Sequence, residues 1–173
     1  MTEKVPEPKN PSAADQLEII SYAEELKDHI KLLNYEWLEK YFRIEEGDRI
    51  ALSNPREEII DKGGFIFFAR SGDSILGTVS LIKKSQVVYE LGKMAVVTSA
   101  RGGGIGTSLL EYSIRFARHQ GIEKLILYSN TQLQSALHLY RKFGFREITL
   151  EKGLYERANV KMELDLIKTS NEI

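Results

Sequence analysis

The chain has 173 residues, enough for one well-cored domain and too few for two. Hydrophobic residues make up 42% and charged residues 28%, and 24 Lys+Arg against 25 Asp+Glu leave a net charge of -1, unlike the basic domains that grip nucleic acid. With no cysteine, disulfides, thiolate metal sites and cysteine nucleophiles are excluded, and His29, His119 and His138 form no metal-ligand spacing.

The opening stretch MTEKVPEPKNPSAAD is polar, holds three of the four prolines and lacks the apolar core of a secretion signal. No apolar run approaches the ~18 residues that a membrane span needs. These features predict a cytoplasmic protein with a disordered tail over 1–14 and a single domain over 15–173, with neither a membrane nor a nucleic acid as partner.

In chain order, DQLEII (15–20) predicts a short strand. Ser21 followed by Glu24 reads as a capping box for a helix that runs to about Phe42, with Leu26, Ile30, Leu33 and Trp37 on one face. Asn54-Pro55 with Glu57 predicts a short helix through Ile60, broken by Gly63-Gly64. FIFFA (65–69) and ILGTVSLI (75–82) flank a turn-like SGD and read as a hairpin. VVYELGKMAVV (87–97) is a third strand, whose internal Gly92 marks a bulge or a close backbone approach. RGGGIG then leads into a helix over about 104–119, and KLILY (124–128) reads as a buried strand. Thr131 with Gln134 predicts a cap for a helix carrying Leu133, Ala136, Leu137 and Tyr140, stopped by Gly144. Strands near 145–150 and 157–166 complete an α/β (α+β) fold, with a largely antiparallel sheet around a central strand-helix-strand-helix unit.

The glycine block is the most informative segment. Over Arg101-Gly102-Gly103-Gly104-Ile105-Gly106-Thr107 the chain leaves a strand, turns and begins a helix. Glycines let backbone N–H groups converge there, and the helix start adds partial positive charge, which suits a phosphate or pyrophosphate. The dinucleotide fingerprint fails because Thr107 stands where its third glycine should be, and no Gly-Lys-Ser/Thr occurs. Taken alone, the block is equally a structural turn.

Its context resembles the GNAT superfamily of acyl-CoA-dependent N-acetyltransferases. The family's phosphate loop, Arg/Gln-x-x-Gly-x-Gly/Ala, is matched by Arg101, Gly104 and Gly106. Its preceding apolar-Ala-Val step is matched by Met94-Ala95-Val96. Its Ala-x-x-x-Tyr helix closing in Gly-Phe is matched by Ala136, Tyr140, Gly144 and Phe145. The flanking segments, NVKMEL in particular, look like the histone-acetylase-related bacterial branch. The resemblance implies a mostly antiparallel sheet whose central strands splay to admit acetyl-CoA. The pyrophosphate would lie on the amides of residues 102–107 and the pantetheine arm along Met94 and Val96.

By the same resemblance Tyr140 is placed to protonate the leaving thiolate. A phenol can do so, since its ordinary pKa of about 10 lies above that of a thiol; packing of the helix face is the alternative. Glu90 matches a catalytic glutamate of some histone-acetylating relatives and shares strand parity with Met94 and Val96. It reads as the base for the amine, or else as a salt-bridged strand residue. Many relatives carry an asparagine where Leu133 stands, so Asn130 is the candidate for a polar contact to CoA. Trp37 and Tyr41, at the end of the early helix, and Tyr155, before the last strand, are candidates for the acceptor pocket. The expected activity is acetyl transfer from acetyl-CoA to a primary amine through a ternary complex, without a metal and with a homodimer possible. The alternative is a non-catalytic acyl-CoA sensor of the same fold.

Overall fold

A computed structural model describes residues 16–153 and 155–167, and the tail expected over 1–14 lies outside the described residues. Apolar side chains recur on both faces of the strands, so the sheet needs cover on both sides. Its strands are β1 (Leu17–Ser21), β2 (Phe65–Ser71), β3 (Ser74–Lys83), β4 (Val88–Val96), β5 (Lys124–Ser129), β6 (Arg146–Ile148) and β7 (Val160–Asp165). They lie in the order β1-β2-β3-β4-β5-β7-β6. Every neighbouring pair is antiparallel except β4 and β5. Helices α1 (Lys27–Tyr41) and α2 (Glu46–Ser53) cover one face, burying Ile30, Leu33, Leu38 and Leu52 against Ile66 and Phe68. Helices α3 (Ile105–His119) and α4 (Gln134–Lys142) cover the other, where Leu109, Leu110 and Leu137 meet Phe67, Leu81, Leu127 and Met162. Each such side chain contributes about 1.5–3 kcal/mol by leaving water. Among the described residues no helix is long and apolar enough to cross a membrane.

The predicted strand-helix-strand-helix unit is β4-α3-β5-α4, and its central strands do splay. The parallel pairing spans only Val88–Glu90 against Lys124–Ile126. From there β5 continues beside β7, while β4 continues beside β3. The separation coincides with a bulge. Thr78 pairs with Ala95 but Ser80 pairs with Gly92, so β4 carries one residue too many, and Lys93 takes a φ of 50°. A bulge bends its strand and sharpens the local twist.

The bulge also overturns one expectation. An extra residue shifts the phase of alternation, so Glu90 does not share a face with Met94 and Val96. Met94 and Val96 pack on the α3 side, whereas Ala95 belongs to the α1 side. Glu90 lies between Tyr89 and Leu91, which both face α3, so it points the other way.

Two helix caps differ from the sequence reading. Ser21 ends β1, the first turn of the following helix lacks a side-chain cap, and Glu24 instead accepts from Tyr22 Oη (2.9 Å) and Arg56 Nε (2.8 Å). The Thr131 hydroxyl accepts from Asn159 Nδ2 (3.1 Å) rather than capping α4. The capping box that does form is Glu45 with Asp48, at the start of α2, a helix the sequence reading left out.

Gly77 of β3 lets α3 sit close to the sheet. A Cβ there would lie 3.0 Å from Leu109 Cδ1, 3.1 Å from Ile105 Cγ2 and 3.2 Å from the Ala95 carbonyl. Gly77→Val should therefore force α3 outward and cost ~1–3 kcal/mol, the scale of overpacking. Urea unfolding would read this as a lower midpoint at an unchanged slope.

Candidate active site

A cleft of about 800 Å³ opens where β4 and β5 part. Met94, Ala95, Val96, Arg101, Gly102, Gly104, Ile105, Gly106, Thr107, Asn130, Ala136 and Tyr140 border it, as do Glu90, Trp37, Tyr41 and Tyr155; Gly103 does not. One concavity thus joins residues from α1, β4, the glycine block, α4 and the β6–β7 loop.

The glycine block has the form its composition predicts. Gly102 and Gly104 have φ of 83° and 80°, left-handed backbone that other residues rarely adopt. The helix bond from Ser108 N–H to the Gly104 carbonyl (3.0 Å) leaves the N–H groups of Ile105, Gly106 and Thr107 without partners inside the helix. At Gly106 a Cβ would lie 3.4 Å from Met94 Cε and 3.8 Å from Leu139 Cδ2, so the first turn of α3, β4 and α4 converge there. Glu36 of α1 anchors the strand exit by accepting from the Thr98 hydroxyl and from Thr98 N–H (3.0 Å). Those hydrogen bonds, the hydroxyl's first, hold its carboxyl below the usual range. Arg101 Nε turns back to the Val96 carbonyl at 3.4 Å.

Tyr140 lies in the last turn of α4, its ring edge-on to Phe145 at 5.9 Å. Burial pushes its phenol up to about 12, so the hydroxyl keeps its proton at neutral pH. The ring packs as the core reading has it, yet no described residue hydrogen-bonds the hydroxyl, and the side chain borders the cleft. Asn130 borders the cleft and also has a structural use. Its Nδ2 donates to the Arg157 carbonyl (2.7 Å) and its Oδ1 accepts from Gln132 N–H (2.8 Å), so the amide fastens two loops together.

On the α1 face the cleft meets a buried charged cluster. Asp48 is fully buried and accepts from Lys93 Nζ (3.0 Å) and from Arg157 Nη1 and Nη2 (2.5 and 2.8 Å). Burial works to raise the Asp48 carboxyl, but the Arg157 hydrogen bonds and the Lys93 charge prevail and hold it below its ordinary value. Arg157 also reaches Glu45 Oε2 at 2.6 Å, and Glu45 Oε1 accepts from Glu156 N–H at 2.9 Å, so the β6–β7 loop is strapped to the start of α2. Tyr155, on that loop, donates to Glu90 Oε2 at 3.1 Å. Asn34 of α1 donates to the Lys93 carbonyl (3.1 Å) and braces the bulge. Asp48, Lys93, Asn34 and Tyr128 are cleft residues that sequence reasoning missed. The available signal was Glu45-x-x-Asp48, a capping box written in acids rather than in Ser/Thr and Glu. Among the described residues no group of three or more His, Asp or Glu is placed to hold a metal ion.

The chain belongs to the acetyltransferase (GNAT) family, whose profile matches residues 29–145. It is 30% identical over 92 residues to rat N-acetyltransferase 8B, an alignment covering 50% of this chain and 41% of that protein. The chain thus spans less than half the length of the curated relatives it matches first. A GNAT-family acetyltransferase from Staphylococcus aureus Mu50 superposes with a TM-score of 0.80 at 25% identity, over 88% of this chain and all of that one. The PaiA N-acetyltransferase of Thermoplasma acidophilum, solved in complex with coenzyme A, has the same fold (TM-score 0.67, 19% identity, 87% and 99% covered).

Removing the Asp48 charge takes away the buried Lys93 ammonium's ion-pair partner among the described residues and leaves Arg157 with Glu45 alone, and breaking such a group costs about 3–5 kcal/mol. Asp48→Asn should therefore unfold at markedly lower urea at pH 7. Because the folded carboxyl titrates below its unfolded value of about 3.9, this stabilisation is complete above that pH and is lost as pH falls through the folded value. The gap between wild type and variant should therefore close in acid, which paired urea titrations from pH 7 to pH 2.5 would read.

Proposed function

We propose that the protein transfers an acetyl group from acetyl-CoA to a primary amine by direct attack within a ternary complex. The observation that carries this reading is the unpaired edge of β4. From Leu91 to Val96 the side of the strand facing the cleft has no neighbouring strand. Such an edge is a template for an extended amide-bearing ligand, which the pantetheine arm is. The first-turn N–H groups of α3 open onto the same cleft, and the missing Cβ of Gly106 leaves a place for a pyrophosphate. The residues present therefore fit acetyl-CoA, and family membership supports the same reading.

When bound, acetyl-CoA supplies an acyl group already activated as a thioester. The backbone of Met94 and Val96 orients the arm, and an amide of that step can donate to the oxygen that becomes negative as the amine attacks. Tyr140, held protonated, donates to the sulfur as the C–S bond breaks. Lys142 and His138, which also border the cleft, suit the outer phosphate, whereas Arg141 is not among the bordering residues. Trp37, Tyr41 and Tyr155 form the acceptor wall, with Glu90 taking up the amine's proton.

CoA should raise Tm, and the rise should grow with the logarithm of its concentration above Kd, because a ligand of the folded state stabilises by mass action. Gly104→Val or Gly106→Val should abolish that shift while circular dichroism shows a folded protein. Tyr140→Phe should bind acetyl-CoA normally yet lose about 10²-fold in kcat, the scale of a removed general acid. Thiol release with a panel of amines measures it. Binding of CoA with no turnover on any amine would make the protein an acyl-CoA sensor instead.

A further inference from the structure

Glu90 shows little of its side chain to the cleft it borders. Its side chain is 3% exposed, and among the described residues Oε1 is buried with no hydrogen-bond partner. Its other oxygen, Oε2, is covered by the Tyr155 hydroxyl at 3.1 Å. An amine in the cleft therefore meets Tyr155 before it meets the carboxylate. Glu90 and Asp48 are the two acidic residues among those described that border the cleft, and Asp48 is taken up by Lys93 and Arg157. Glu90 has only Lys84 Nζ nearby, 3.7 Å from Oε1.

Resting on the acetyltransferase reading, we infer that Tyr155 and Glu90 form one proton relay, in which the phenol touches the acceptor amine and the carboxylate behind it takes the proton. The ammonium N–H bond breaks as a bond forms to Tyr155 Oη, while the Tyr155 O–H proton passes to Glu90 Oε2. Tyr155 ends as it began, Glu90 ends as a neutral acid, and the freed nitrogen lone pair attacks the thioester carbon. As the C–S bond then breaks, the sulfur takes the Tyr140 proton, and the surplus proton left on the nitrogen passes through solvent to restore Tyr140. Glu90 later returns the proton to solvent.

Each element packed around Tyr155 suits it to this exchange. From β4, Lys93 Nζ lies over the ring at 5.5 Å, and from its own loop Arg157 lies over it at 5.3 Å. From β5, Tyr128 meets the ring edge-on at 5.5 Å, with Lys161 of β7 over Tyr128. From α2, Asp48 and Glu45 hold the two cations in place. Two cations at the phenol favour the negative charge that grows on its oxygen in transit, and the carboxylate draws the proton onward. The strap through Arg157 keeps the ring from swinging away. Gly92 keeps the room open, since a Cβ there would stand 3.1 Å from Glu90 Oε2. Burial and the Glu90 charge hold the phenol protonated at rest, well above the usual range.

The test uses wild type, Tyr155→Phe, Glu90→Gln and the double variant, with acetyl-CoA and phenethylamine, spermidine and a lysine-containing peptide, the fastest of the three carrying the comparison. A relay acts as a unit, so each single change should lower kcat at pH 7 by ~10²-fold and the double should be no worse than the poorer single. Acetyl-CoA affinity should be unchanged in all four, and rates should partly recover at high pH, where free amine accumulates. Losses that multiply in the double variant, or a Tyr155→Phe enzyme as fast as wild type, would overturn the relay and leave the acetyltransferase reading standing. Wild-type inactivity on all three amines despite CoA binding would overturn both.

Discussion

A strand in a protein interior carries hydrogen-bonding groups along both edges, and each group left unmatched away from water costs free energy. β4 meets this demand along its β3 side for nearly its whole length, but along its β5 side only as far as Glu90. The rest of that edge needs water or a ligand, and the surrounding structure keeps the space from closing. The bulge at Lys93 turns β4 aside, Asn34 braces the bulge, and the strap from Arg157 to α2 holds the far wall. Gly77 brings α3 close enough that its first turn opens onto the same gap. Because main-chain groups would do the gripping, the side chains of this segment answer mainly to packing.

The bulge has a second effect, on how chemistry is divided between the two faces of the sheet. On the α3 side stand Met94, Val96 and Tyr140, the groups suited to the thioester and its leaving sulfur. On the α1 side stand Glu90 and the charged cluster around Asp48. Without the extra residue Glu90 would face α3, where apolar packing leaves a carboxylate unmatched. In the proposed reaction this division sets the carboxylate that would accept a proton and the Tyr140 phenol that would give one on opposite faces of the sheet.

Much of this architecture is legible in the sequence because it depends on local rules. Strand alternation, the Gly63-Gly64 break and the Gly144 stop mark most of the elements, and the glycines ahead of Ile105 mark the helix start. What stays hidden depends on pairs far apart in the chain. Arg157 with Asp48, Lys93 with Asp48 and Tyr155 with Glu90 are each drawn together by the sheet, and no spacing announces them. The phase shift at Lys93 is a case between the two. Gly92 hints at a bulge, but which side of it each residue falls on is decided by the register with β3. Asn130 borders the cleft while its amide also ties two loops together, a structural use that its sequence position does not announce.

The strand order carries one more consequence, for the birth of the molecule. β7 follows β6 in the chain yet lies between β5 and β6, so β6 touches no other strand until β7 has been made. A growing chain can assemble β1 to β4 with their helices and add β5 along the short parallel seam, three residue pairs long. The outer backbone edge of β5 stays unpaired meanwhile, and Leu125 and Leu127 on its α3 face lack Met162 and Leu164 of β7 beside them. At a synthesis rate of ~5–20 residues per second this leaves an open edge beside unfinished apolar packing for roughly 2–7 s. β7 closes the sheet for every strand beyond the seam, so the nascent form most exposed to aggregation is the one between the emergence of β5 and that of β7.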